Sequence, residues 1–217
     1  MKKLDGEHQG HGGGRLPSGR HRLSRDYVAS NQRARILQAV IEAVGSDGYA
    51  QLTIDTIVGR SAVSKKTFYE NFKSKEEAFL AAYDSVTDRV LELVVGSVDA
   101  DAPLADRLHA GLGAFLQFIA DEPLAARMCV VEVLAAGPEA VERRDRVKRL
   151  FSAMMVEHLR AQVPDYPEPE LTAEVAVGGM HEVIFDRVNR GEAHTLPGLR
   201  EALVNVFAIP HPPSADH

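Results

Sequence analysis

Cysteine is nearly absent. Cys129 is the single thiol in 217 residues, so no internal disulfide can form, and its neighbours in ARMCVVEVL make it a small buried hydrophobe rather than a redox centre. No apolar run approaches the ~18 residues needed to cross a bilayer. The amino-terminal MKKLDGEHQGHGGG lacks the apolar centre of a signal peptide, which makes the cytoplasm the expected compartment. Strand-like alternation and internal repeats are missing too. So are the marks of an enzyme: there is no Gly-rich phosphate loop, no HExxH or CxxC motif and no serine in a nucleophile elbow. Asp165, Glu168 and Glu170 fall in a Pro-rich loop, where shifted carboxylate pKa values are not expected. His8, His11 and His21 have a spacing that fits no tetrahedral metal site. The expectation is a protein that is not an enzyme and carries no cofactor and no metal.

What is present is a 45% apolar composition, enough for a genuine core, and a net charge of −6 that is unevenly spread. Residues 1–75 hold 13 Lys or Arg against 7 Asp or Glu, and residues 76–217 hold 12 against 24. A basic head on an acidic body is an electrostatic footprint for phosphate, with the body kept off the polyanion.

Apolar spacing near 3.6 residues runs along most of the chain and predicts an all-α fold of about nine helices. Residues 1–24, rich in Gly, His and Arg, read as a disordered basic tail; Arg15, Arg20, Arg22 and Arg25 would form a basic arm near DNA. Ser30 caps a first helix closed by Gly45 and Gly48. Lys75 opens a long fourth helix with Phe79, Tyr83, Val86, Val90 and Leu93 or Val94 on one stripe, linking a head (25–74) to a helical body (75–209). Prolines in first turns then predict helices from Pro103 to about Ala120, Pro123 to Ala136 and Pro138 to about Gln162. After PDYPEP an eighth helix spans Glu170 to Arg190, ended by Gly191, and a ninth spans Leu196 to Ala208. Residues 210–217 read as a second disordered tail.

The densest signal is LTIDTIVGRSAVSKKTFYENFKSK, residues 52–75. Thr53 is an N-cap with Asp55 at the positive end of the helix dipole, and Ile54, Ile57 and Val58 form a small apolar face. Ser64 caps a second helix, with Val63 and Phe68 at the positions of a hydrophobic staple. Phe68 and Phe72, four apart, turn inward together. The same winding leaves Lys65, Lys66, Thr67, Tyr69 and Asn71 on the outer side or at the amino end, where a recognition helix meets phosphates and base edges.

These residues resemble the helix-turn-helix of the TetR family of transcriptional regulators. The resemblance starts at Arg33 and Ile36, runs through Gly48-Tyr49 and Leu52-Thr53, and closes on Val63-Ser64, Thr67, Phe68-Tyr69, Phe72, Ser74-Lys75 and Glu76-Glu77. It covers roughly 50 residues with a specific pattern. Ala62 departs from the glycine that the family often has in the turn, and Asn71 stands where many members carry His. The resemblance implies a three-helix DNA-binding domain followed by a helical ligand-binding and dimerisation domain, acting as a repressor released from a near-palindromic operator by a small apolar or amphipathic ligand. An activator would look the same, and a helical binding module with a vestigial head is the alternative.

The expected DNA-binding set is Thr53, Ser64, Lys65, Lys66, Thr67, Tyr69, Asn71 and Lys75. Within it Lys65 and Lys75 suit phosphate, Thr67 and Tyr69 suit phosphate or a thymine methyl, Lys66 suits guanine and Asn71 adenine. Tyr83, Phe115, Phe118, Met128, Met154, Met155 and His158 are candidates for the wall of a ligand pocket, although Phe and Met stripes at helical spacing more often pack as plain core. Gly178 and Gly179 inside a helix each cost ~1 kcal/mol relative to Ala, which close approach of another helix, from the same chain or a twin, would explain. The dimer-interface candidates are Val175, Gly178, Gly179, Glu182, Val183, Leu199, Leu203 and Val206. A two-fold homodimer would place two recognition helices about 34–36 Å apart. Ligand in the body would then shift the fourth helix and change the separation of the heads.

Overall fold

The computed structural model describes residues 25–99 and 101–207. The tails expected at 1–24 and 210–217 lie outside the described residues, as does the side chain of Val206. Among the described residues there are nine α-helices and no strand: α1 (Arg25–Asp47), α2 (Ile54–Ser61), α3 (Lys65–Asn71), α4 (Lys75–Gly96), α5 (Leu104–Asp121), α6 (Pro123–Val130), α7 (Pro138–Gln162), α8 (Pro169–Asn189) and α9 (Arg200–Phe207). The all-α expectation therefore holds, and α4, α5, α7 and α8 begin and end within about two residues of the bounds read from proline, glycine and apolar spacing.

Ile36, Val40, Leu52, Ile57, Phe68 and Phe72 fill the core of the head. Along α4, Phe79, Tyr83, Val86, Val90 and Val94 are buried while Leu93 is exposed, which settles the choice between Leu93 and Val94. Tyr49 meets Phe79 edge to face with ring centroids 5.0 Å apart, so the turn after α1 packs on the first turns of α4.

Four expectations need correction. First, α1 starts at Arg25 rather than after Ser30, because nothing in RDYVAS breaks a helix and an interior Ser is only mildly unfavourable. Second, Gly45 does not close α1. It lies inside the helix, where a Cβ would come within 2.5 Å of the Leu124 carbonyl oxygen, so it lets α6 approach the α1 backbone. The stop is Gly48, at φ +86°. Third, α6 ends at Val130 and gives way to a 3-10 turn, Glu132–Ala135. The β-branched pair Val130-Val131 favours helix weakly, and Glu132 turns its largely buried carboxylate to accept the Tyr49 amide at 3.0 Å and Arg127 Nη2 at 3.1 Å. Fourth, the ninth helix is shortened by Pro197, which falls in a 3-10 segment (Ala193–Leu199) before α9 restarts at Arg200.

Head and body share one continuous apolar cluster that runs from Ile36 to Leu203. The joint is made by α6 on α1 as well as by α4. Leu203 is buried in this cluster and Leu199 packs against it, so these two interface candidates serve the chain's own core.

Candidate functional site

Two hydroxyl caps shape the head. Thr53 stands in extended backbone (φ −132°, ψ 159°) and its Oγ1 accepts the Thr56 amide at 3.1 Å, which starts α2. Ser64 Oγ accepts the Thr67 amide at 3.0 Å and starts α3. Between them Ala62 is left-handed (φ 50°, ψ 38°), a conformation that costs a residue with a Cβ ~1 kcal/mol. Arg35 braces that turn, its Nη2 donating to the Ala62 carbonyl at 3.1 Å. Sequence reading missed this contact, since nothing local links residues 27 apart.

On α3 the buried and open sides separate cleanly. Phe68 and Phe72 lie inside with ring centroids 5.9 Å apart, and Arg33 caps the pair with its guanidinium 4.4 Å from the Phe72 ring centre. Outside, the Lys66 side chain is 87% exposed and Tyr69 is 57% exposed, its ring edge-on to Phe68. Lys65 is exposed and pairs with Asp55 at 2.6 Å, while Thr67 lies beside Ser64 with the hydroxyls 2.9 Å apart. These four side chains form one outward face at the amino half of α3.

Two of the expected contacts are drawn elsewhere. Asn71 Nδ2 donates to the Thr67 carbonyl of its own helix at 2.8 Å, so the amide donor of the adenine reading is turned inward. Lys75 Nζ donates to the Leu52 carbonyl at 2.9 Å and sits 5.1 Å from the Tyr49 ring centre. In this arrangement its charge holds the turn before α2 against α4 instead of facing outward.

Among the described residues, two cavities of the body share a wall. The larger, about 410 Å³, is lined by Phe115, Phe151, Met154, Met155 and His158 together with Arg107 and Leu108. The smaller, about 100 Å³, is lined by Tyr83, Phe118, Cys129 and His181 among others. Phe115, Phe151, Val177 and Met180 border both, and the two phenyl centroids are 5.6 Å apart. Only the larger falls in the ~300–1,000 Å³ range of small-molecule pockets. Met128 touches neither cavity; it is fully buried in the core, which corrects its assignment. Arg107 was missed, although it stands at i, i+4 and i+8 with Gly111 and Phe115 on one face of α5.

Burial governs the ionisable groups here. It pushes the Tyr83 phenol and the Cys129 thiol up, leaving both protonated. Burial, with the Arg107 charge second, lowers the His158 pKa. Burial and then Lys148 and Arg144 hold His181 down at about 4, only partly opposed by Asp145. A histidine depressed on folding takes up its proton more readily in the unfolded chain. Stability therefore falls as pH drops below the unfolded value of ~6.5 toward the folded one. Thermal melts from neutral to mildly acidic pH should show a falling Tm, and His181→Gln should flatten that fall; an unchanged slope would contradict the assignment.

Residues 36–82 match the family model described as bacterial regulatory proteins, tetR family. The chain is 30% identical over 107 residues to the HTH-type transcriptional activator FasR of Mycolicibacterium smegmatis, covering 49% of each chain. To the HTH-type transcriptional regulator EthR of the same species it is 27% identical over 150 residues, covering 68% of this chain and 64% of the relative. The chain thus spans about half of the first relative and under two thirds of the second. Among solved structures, the fatty acid degradation regulator FadR of Bacillus halodurans superposes with a TM-score of 0.71 at 15% identity, covering 81% of this chain and 94% of that one. FadR of Bacillus subtilis, solved in complex with stearoyl-CoA, gives 0.69 at 16% identity, covering 80% and 96%. These relatives and neighbours are named as transcriptional regulators, not enzymes. The family model lies on the capped head and the structural likeness extends over the body: residues 36–82 match the tetR family of bacterial regulatory proteins, and the chain has the fold of these solved regulators.

Proposed function

We propose that the chain is a sequence-specific DNA-binding transcriptional regulator, a repressor that a small apolar or amphipathic ligand in the body releases from its operator. The observation that carries this reading is the outward face of α3. Lys65, Lys66, Thr67 and Tyr69 stand exposed or half-exposed on a helix whose opposite side is locked by Phe68 and Phe72. Lys65 suits phosphate, where a flexible point charge is enough, and Lys66, the most open of the set, suits a guanine edge. Lys75 and Asn71 support the head in the free protein and are left out of the contact set. In Lys66→Ala, affinity for the selected operator should drop about tenfold or more while affinity for random duplex changes little. Equal losses on both would overturn the base-reading role.

A homodimer formed through α8 completes the reading. Leu171, Val175 and Val183 are exposed apolar residues on α8, 57%, 67% and 37% respectively, with Gly179 and Glu182 also exposed among them. A Cβ at Gly178 or Gly179 would meet nothing within 4 Å, so no helix among the described residues accounts for these glycines. Exposed Leu150 and Met154 on α7 extend the apolar area. In a monomer Gly179→Ala should add helix stability of ~1 kcal/mol. Against a closely packed twin the sign reverses, and dimer dissociation measured by sedimentation should become about tenfold easier. An unaltered dimer with a raised Tm would contradict this interface.

For the ligand, the larger cavity combines a fitting size with a mostly apolar wall, and the stearoyl-CoA complex of the Bacillus subtilis neighbour supports an apolar or amphipathic effector. The route to the head favoured by the packing runs through α6, whose Ala125, Ala126 and Cys129 line the smaller cavity while Leu124 rests on Gly45. DNA and ligand then oppose one another reciprocally. Loading the cavity should raise the operator Kd; a ligand bound there that leaves that Kd unchanged would contradict release.

A further inference from the structure

Arg107 is out of place in the larger cavity unless something meets it. The residue is half-buried, its Nε is fully shielded with no hydrogen-bond partner, and among the described residues no carboxylate pairs with its guanidinium. An arginine retains its charge in any accessible pH range, so it cannot relieve burial by losing a proton as a lysine does. The rest of the wall is mostly apolar: Leu108, Phe115, Phe151, Met155 and Val177. The adjoining His158 is itself buried, and its pKa is pushed down by that burial and by Arg107, which leaves it neutral at physiological pH. The one other charged wall residue is Glu157, an exposed carboxylate on α7.

We propose that the larger cavity binds an organic monoanion with an apolar tail, its carboxylate paired with Arg107 and its tail against the Phe115, Phe151 and Met155 wall. This deepens the ligand-binding reading above and rests on it. The charge count selects the class. One half-buried cation with a shielded Nε neutralises one negative charge, an arginine fork matches a carboxylate in geometry, and the exposed Glu157 disfavours a second negative charge. The volume of about 410 Å³ accommodates a medium-length amphiphile, not a polyanionic nucleotide conjugate held wholly inside.

Decanoate and the uncharged 1-decanol are the probes, titrated by calorimetry into the full chain and into Arg107→Met and Arg107→Lys. Wild type should bind decanoate about tenfold or more tightly than decanol. Arg107→Met should erase that preference, with decanol affinity held within about twofold, while Arg107→Lys retains part of it. Without ligand, Arg107→Met should melt no earlier than wild type, because it removes a cation without a partner. Equal binding of both probes by wild type would overturn the anion proposal and leave the ligand-site reading standing. Binding of neither would remove both. Equal loss of both probes in an Arg107→Met protein that melts early would make Arg107 a structural residue and overturn the proposal.

Discussion

Phe68→Ala is expected to lower stability by ~3–5 kcal/mol and to abolish operator binding. The side chain is fully buried, its ring lies 5.9 Å from Phe72 and 5.5 Å from Tyr69, and it is the inward anchor of the seven-residue α3. A helix that short has almost no stability of its own, so its orientation depends on what its apolar side grips. Truncation leaves a cavity that the neighbouring Phe72 and Leu52, each nearly fully buried, have little freedom to fill. Domains hold only ~5–15 kcal/mol in total, so a loss of this size reaches the whole fold through the shared core. Urea denaturation gives the stability change. Tyr69→Ala is the control, because an exposed ring should cost operator affinity with a stability change near ~0.5 kcal/mol or less. A Phe68→Ala loss under ~1 kcal/mol would show that the head is not organised around this ring.

Gly45→Ala is expected to destabilise the protein by ~1–3 kcal/mol or more, against the direction of helix propensity. In an open helix the change would add ~1 kcal/mol. Here the new Cβ would lie 2.5 Å from the Leu124 carbonyl oxygen and 2.7 Å from its Cα, and backbone cannot step aside as a flexible side chain can. Relief requires α6 to slide on α1, which loosens the Glu132 contact with the Tyr49 amide at the same joint. The substitution should therefore also weaken the effect of ligand on DNA affinity, read as the ratio of operator Kd values with and without ligand. Neutral or increased stability in calorimetry would mean that α1 and α6 do not approach this closely.

What was legible in the sequence follows from how far each interaction reaches along the chain. The caps at Thr53 and Ser64 bind amides three residues away, and the prolines opening α6 and α7 act through their own backbone, so all could be read locally. The inward pair Phe68 and Phe72 is visible as helical spacing. The missed features depend on distant partners. Glu132 ends α6 by reaching Tyr49, 83 residues away, and Lys75 leaves the phosphate set by reaching Leu52, 23 residues away. Gly45 resembles a helix stop because the Leu124 backbone pressed against it is invisible in a linear pattern. Met128 and Phe115 look alike as inward apolar residues, and only packing decides that one is core and the other a cavity wall.

The most direct measurement is selection of binding sites from a random duplex pool at about 0.15 M salt, followed by sequencing of the retained DNA. The predicted result is enrichment of an inverted repeat whose half-sites are centred about one helical turn apart, lost when Lys66 and Tyr69 are replaced by alanine. A folded, dimeric protein that enriches no sequence, or whose retained DNA is unaffected by those two substitutions, would contradict recognition through α3.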